Sequence, residues 1–173
     1  LHRGILLPDE FGRIIRAVLG QYEYSITDDE AETCSESTIR EAFAWLEYRL
    51  IENEPETFAG LYVEYTPRFH FVVLFTRDAE KTIKPYIPEG MDNCIEVRIV
   101  TVSYLTLLSA QSTVATTLMS LGITSESAVY VIENNVEFYV TDLAPVEKAI
   151  HDGILSVPSY VEIIKVEGLA KHD

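Results

Sequence analysis

Histidine and cysteine are scarce in this chain, with four of the first and two of the second among 173 residues. His2 and His172 stand near the ends, His70 opens an expected strand beside a turn, and His151 closes an expected helix, where a cation suits the dipole. No serine or cysteine sits in register with any of them as a nucleophile beside its base, and no Gly-x-Ser-x-Gly elbow exists to present one. A glycine-rich phosphate loop, a dinucleotide fingerprint and Cys/His metal spacing are all missing. The expectation is therefore a chain that is not an enzyme, with no catalytic residue, no metal site and no cofactor. A surface carboxylate pair is the remaining route to an enzyme.

Positive charge is also in short supply. Thirteen Lys and Arg face 28 Asp and Glu, a formal net charge of −15. Such a chain repels nucleic-acid phosphates and anionic membrane surfaces, so neither is expected as a partner. A basic protein surface is a better match, although acidity for solubility alone gives the same composition. The acidic stretch Asp28, Asp29, Glu30 and Glu32 lacks the alternating ligands and central glycine of a calcium loop and reads as a connector. The two cysteines, Cys34 and Cys94, are either a disulfide closing a loop of about 60 residues, worth roughly 4 kcal/mol in the chain-entropy model, or two unrelated, partly buried thiols.

Long bilayer-spanning runs are absent as well. From Ile99 to Ser125 no residue is charged, yet Leu107, Val114, Leu118 and their neighbours recur at helical spacing while Thr106, Ser109, Thr113 and Thr117 fill the other face. That pattern predicts an amphipathic helix with a hydroxyl face, either a docking surface or a helix held between two subdomains.

What the chain does contain is a repeat. Phe71-Val72-Val73-Leu74-Phe75-Thr76-Arg77-Asp78, leading into Glu80-Lys81-Thr82-Ile83, returns 65 residues later as Val136-Glu137-Phe138-Tyr139-Val140-Thr141-Asp142, leading into Glu147-Lys148-Ala149-Ile150. A third apolar run follows each copy, Ile95 to Ile99 and Val161 to Lys165, with Glu96 and Glu162 at matching solvent-facing positions. Two copies of one supersecondary unit are too few for a solenoid. Each copy reads as strand, turn, strand, helix, strand: Gly60 to Tyr65, Phe69 to Thr76, Asp78 to Lys84 and Ile95 to Val102, then Ala128 to Glu133, Val136 to Asp142, Ala144 to His151 and Tyr160 to Val166. Asn134-Asn135 is the expected tight turn of the second hairpin.

The fold class is α+β: two repeated β-β-α-β subdomains with three-stranded antiparallel sheets, preceded by N-terminal helices and joined by a long helix. The segments are an N-terminal helical part over 1–57, a first subdomain over 58–102, a connecting helix over 103–122, and a second subdomain with its tail over 123–173. Within the first segment one helix runs from Pro8 to Leu19. Another opens on the Thr38/Glu41 capping pair, carries Phe43, Leu46 and Leu50 on one stripe with Trp45 as an anchor, and stops before Pro55.

Thr57-Phe58-Ala59-Gly60-Leu61-Tyr62-Val63-Glu64, then Phe71-Val72-Val73, then Ile95-Glu96-Val97-Arg98-Ile99 with Tyr104-Leu105 opening a helix, and later Tyr130-Val131-Ile132-Glu133 and Val161-Glu162-Ile163, occur in the order found in one family. Over about Leu7 to Glu167 the chain resembles the pro-region of the alpha-lytic protease and streptogrisin group of secreted bacterial serine proteases. The resemblance implies an exported or extracytoplasmic module that assists folding of a chymotrypsin-like serine protease and then inhibits it. It implies a partner protein bound at the last strand, Tyr160, Val161, Glu162, Ile163, Ile164, Lys165 and Val166, with Glu167, Gly168, Leu169 and Ala170 as a tail lying in the protease active site. The alternative is a free-standing binding or structural domain with an unrelated partner, since a shared fold does not carry its function with it.

Overall fold

A computed structural model describes residues 36–66, 69–87 and 90–169, which fall in one compact unit, residues 34–173. The expected Pro8–Leu19 helix and the acidic connector lie outside the described residues. The elements are α1 (Glu36–Asn53), β1 (Phe58–Glu64), β2 (His70–Phe75), α2 (Ala79–Ile83), β3 (Ile95–Ile99), α3 (Tyr104–Ser120), β4 (Ser125–Tyr130), β5 (Asn135–Val140), α4 (Ala144–His151) and β6 (Val161–Lys165). The fold is α+β with two separate three-stranded sheets, β1-β2-β3 and β4-β5-β6.

The repeat extends through all three strands. Glu64 pairs with His70 as Tyr130 pairs with Asn135, and Phe71 pairs with Ile95 as Val136 pairs with Val161. The central strands are thus offset by 65 residues and the flanking strands by 66. Each hairpin is antiparallel as expected, but the third strand of each sheet is not. β3 runs parallel to β2, and β6 runs parallel to β5. The sheets are mixed because the helix after each central strand carries the chain back along the sheet, the crossover that parallel neighbours require.

The connecting helix expected over 103–122 belongs to the second unit. Leu107, Ala110, Val114 and Leu118 of α3 pack with Val136, Phe138 and Val140 of β5, with Val146 and Ala149 of α4, and with Val161. In the first unit Leu46 and Leu50 of α1 pack with Phe71, Val73 and Phe75 of β2 and with Ala79 and Ile83 of α2. The repeating unit is therefore helix, strand, strand, helix, strand, one element larger than the sequence match. α1 begins at Glu36 rather than Thr38, within the usual uncertainty of helix ends.

The two central strands differ in burial. Every residue of β2 is buried, whereas β5 alternates buried and half-buried positions. The inner face of each sheet packs on its helices, and among the described residues only the first sheet has its other face covered. There Ala59, Val72 and Leu74 meet Val131 from the β4–β5 turn. A Cβ placed on Gly60, whose φ is +122°, would lie 2.6 Å from Val131 Cγ1. That turn spans residues 131–134 rather than Asn134-Asn135, and Asn134 alone takes the positive φ, 54°.

The hydroxyls of α3 need no second subdomain. Thr113, Thr116 and Thr117 each donate to the carbonyl four residues back, at 2.8–2.9 Å. Their face is a surface and is not sandwiched between units: Thr106, Ser109, Thr113 and Thr116 are exposed. Among the described residues no helix is long and apolar enough to cross a membrane.

Candidate functional site

β6 is an edge strand, and among the described residues no strand pairs with its outer side. Tyr160 O accepts the Val136 N–H and Val166 N–H donates to Val140 O, both at 2.9 Å. Peptide groups alternate in direction along a strand, so residues 160, 162, 164 and 166 turn theirs toward β5. Ile163 and Lys165 turn theirs outward. Val161 N–H is already taken by Pro158 O at 3.0 Å. Side chains sort by face: Val161 and Ile163 pack on the helical core, while Glu162 and Ile164 lie on the open face with Glu137 and Tyr139. Lys165 is exposed, and so are Glu167 and Gly168 beyond the strand, with Leu169 half-buried. Ala170 lies outside the described residues.

A cleft of about 500 Å³ runs beside the start of this strand. Thr106, Ser109 and Thr113 of α3 form one wall, and Ser156, Pro158 and Tyr160 form the other. On the open face of the same sheet Tyr130 and Tyr139 share a hydroxyl–hydroxyl bond of 2.7 Å, and Tyr139 donates to Glu137. The Glu137 carboxylate holds the Tyr139 phenol well above the ordinary tyrosine range.

A second constellation lies on the first sheet. Glu64 of β1, His70 of β2 and Glu96 and Arg98 of β3 share the face opposite the α1 core, because Glu64 pairs with His70, Glu96 with Val72 and Arg98 with Leu74. His70 is 5% exposed, and its Nε2 lies 3.5 Å from Glu64 Oε2 and 3.3 Å from Glu96 Oε2. Arg98 clamps both carboxylates, with Nη1 2.7 Å from Glu64 Oε1, Nη2 2.9 Å from Glu64 Oε2 and Nε 2.6 Å from Glu96 Oε1. Its Nη1 also reaches Tyr62 Oη at 2.6 Å. The guanidinium holds both carboxyls below their ordinary range against the opposing effect of burial, and is itself held above its own by Glu64 and then Glu96. Burial is the main cause that pushes the Tyr62 phenol up.

Sequence spacing did not reveal this cluster. It read His70 only as the start of a strand and Glu96 as a solvent-facing position. The one available signal was Glu-x-Arg in β3 opposite a Glu and a His flanking a turn, which becomes meaningful only once β3 is known to run parallel beside β2. His151 is exposed at the end of α4. Cys94 is buried and disulfide-bonded, while Cys34, like His2 and His172, lies outside the described residues. No protein-family model matches the chain, and no curated protein matches it.

Proposed function

We propose that the chain is a non-catalytic, pro-region-like binding module that adds a strand of a partner protein to the outer edge of β6 and sets the tail after Val166 into a cleft of that partner. The partner that the sequence resemblance points to is a chymotrypsin-like serine protease, which the module would help to fold and then inhibit. One observation carries the reading: the outward N–H and C=O groups of Ile163 and Lys165 on an edge that no described strand covers. Natural sheets guard such edges with charge, proline or bulges, and here Lys165 and Glu162 are the charged side chains that β6 itself carries. Strand addition obtains its affinity from backbone bonds and therefore tolerates sequence drift. Export and an extracytoplasmic setting follow from the same resemblance.

The test is inhibition of a streptogrisin-like protease by the intact chain, by a chain shortened after Val166, and by Lys165→Pro. Proline at 165 removes one outward N–H and leaves the ladder to β5, which uses 164 and 166. The expected result is unchanged melting with inhibition weakened at least tenfold in both variants. Equal inhibition by all three, or inhibition abolished by modest salt as expected for a −15 chain on a basic enzyme, refutes the reading. It would favour a free-standing domain with another partner.

A further inference from the structure

We propose that Glu64, His70 and Glu96 form a binding site for a divalent cation of the zinc class. The donors are one imidazole nitrogen and two carboxylate oxygens, one from each strand of the first sheet, all within 4.8 Å of one another. Zinc binds such atoms at about 2.1 Å, so neighbouring ligands of a tetrahedral ion stand about 3.4 Å apart. Nε2 stands 3.5 and 3.3 Å from the two Oε2 atoms. Two edges of the coordination tetrahedron are therefore already present without movement of the backbone.

The surroundings are arranged for holding ligands rather than for packing. His70 is almost fully buried, yet it directs Nε2 toward the two acids, whose side chains are 30% and 48% exposed. The fourth position thus faces solvent and is open to water or to a group on a partner. Arg98 grips Glu96 through Oε1 alone and Glu64 through both oxygens, Oε2 included at 2.9 Å. This fixes the two carboxylates beside the imidazole in the way outer partners orient metal ligands, and leaves the Glu64 Oε2 that faces His70 a second lone pair for an ion. Two carboxylates against one guanidinium leave a single negative charge to attract a cation, within a chain of net −15.

The fold itself does not demand the cluster. Register puts Tyr130, Asn135 and Glu162 at the matching positions of the second unit, where only the last acid is kept. The two units share their architecture while only one of them brings an imidazole and two carboxylates together.

The experiment is a titration of the chelator-treated full chain with Zn2+, and with Co2+ as a spectroscopic probe, in about 0.15 M salt to suppress loose binding to surface acids. Wild type should take up one equivalent, give the visible bands of a tetrahedral Co2+ site, and melt higher with Zn2+ present. Glu96 is the ligand to replace because it is half-exposed, whereas a change at the buried His70 would disturb the sheet as well as the site. Glu96→Gln should fold normally, with affinity down at least tenfold and the thermal shift lost; Glu162→Gln, its counterpart in the other unit, should leave both unchanged. Wild-type affinity in Glu96→Gln, equal loss in the two variants, or uptake of Mg2+ as readily as Zn2+ would each overturn the proposal. So would the absence of tetrahedral bands in cobalt-loaded wild type.

Discussion

Asn134 grips Val102 by both of its peptide groups. Its Oδ1 accepts the Val102 N–H at 2.9 Å and its Nδ2 donates to Val102 O at 2.8 Å, while Oδ1 also takes the Thr101 N–H at 3.2 Å. One side chain in the β4–β5 turn thus satisfies the strand-to-helix linker that leaves β3 and enters α3. The same residue closes the turn at φ 54° and is 8% exposed. Asparagine suits both demands, since it tolerates the left-handed region and offers a donor and an acceptor on one amide.

Asn134→Ala should therefore destabilise the chain by about 2–4 kcal/mol, because it strands buried peptide groups of the linker and sets a β-carbon in a left-handed turn. Asn134→Gly restores the backbone freedom but not the bonds, and should recover only about 1 kcal/mol of that loss. Urea denaturation of the three proteins separates the two contributions. A glycine variant as stable as wild type would show that the amide bonds add nothing.

Much of the fold was legible because the burial pattern is written in the strands. Phe71-Val72-Val73-Leu74-Phe75 is apolar throughout and is buried on both faces, while Val136-Glu137-Phe138-Tyr139-Val140 alternates between buried and half-buried positions. The direction of the third strand was not legible, since a helical connection of this length can return a chain either way along a sheet. The helical spacing places α3 correctly but does not show that it plays the part of α1, because the two apolar stripes share no sequence pattern. The Glu64–His70–Glu96 cluster was hidden for a different reason. Its members lie on three strands, and only the register, with β3 parallel beside β2, brings them together.

The contact between Gly60 and Val131 predicts a specific coupling. Gly60→Ala places a methyl 2.6 Å from Val131 Cγ1 and forces a side chain to φ +122°. Overpacking costs about 1–3 kcal/mol, and the backbone strain costs about 1–3 kcal/mol more. Val131→Ala should relieve the first cost and leave the second, so the double variant should be more stable than the sum of the single changes by at least about 0.5 kcal/mol. Strict additivity in a double-mutant cycle would mean that the turn does not press on β1 at Gly60.

The stability of the first unit should also depend on alkaline pH through Tyr86. Its hydroxyl donates to Glu54 Oε1 at 2.8 Å, tying the segment after α2 to the end of α1. Burial first, and the bond to the Glu54 carboxylate second, push the phenol up to about 12. A group whose folded pKa is raised favours its protonated form in the native state, so its contribution is complete below the ordinary tyrosine value of about 10. It is lost as pH climbs from there toward 12. The stability difference between wild type and Tyr86→Phe should accordingly be constant from neutral pH to about 9.5 and shrink above pH 10. Subtracting the ultraviolet titration of Tyr86→Phe from that of wild type isolates this one phenol among ten tyrosines. Its ionisation should appear near pH 12 and move toward 10 in Glu54→Gln, by less than the full interval, because burial acts without the carboxylate. A Tyr86 that titrates near pH 10 in the wild type would show that the end of α1 and the segment after α2 are not joined by this bond in solution.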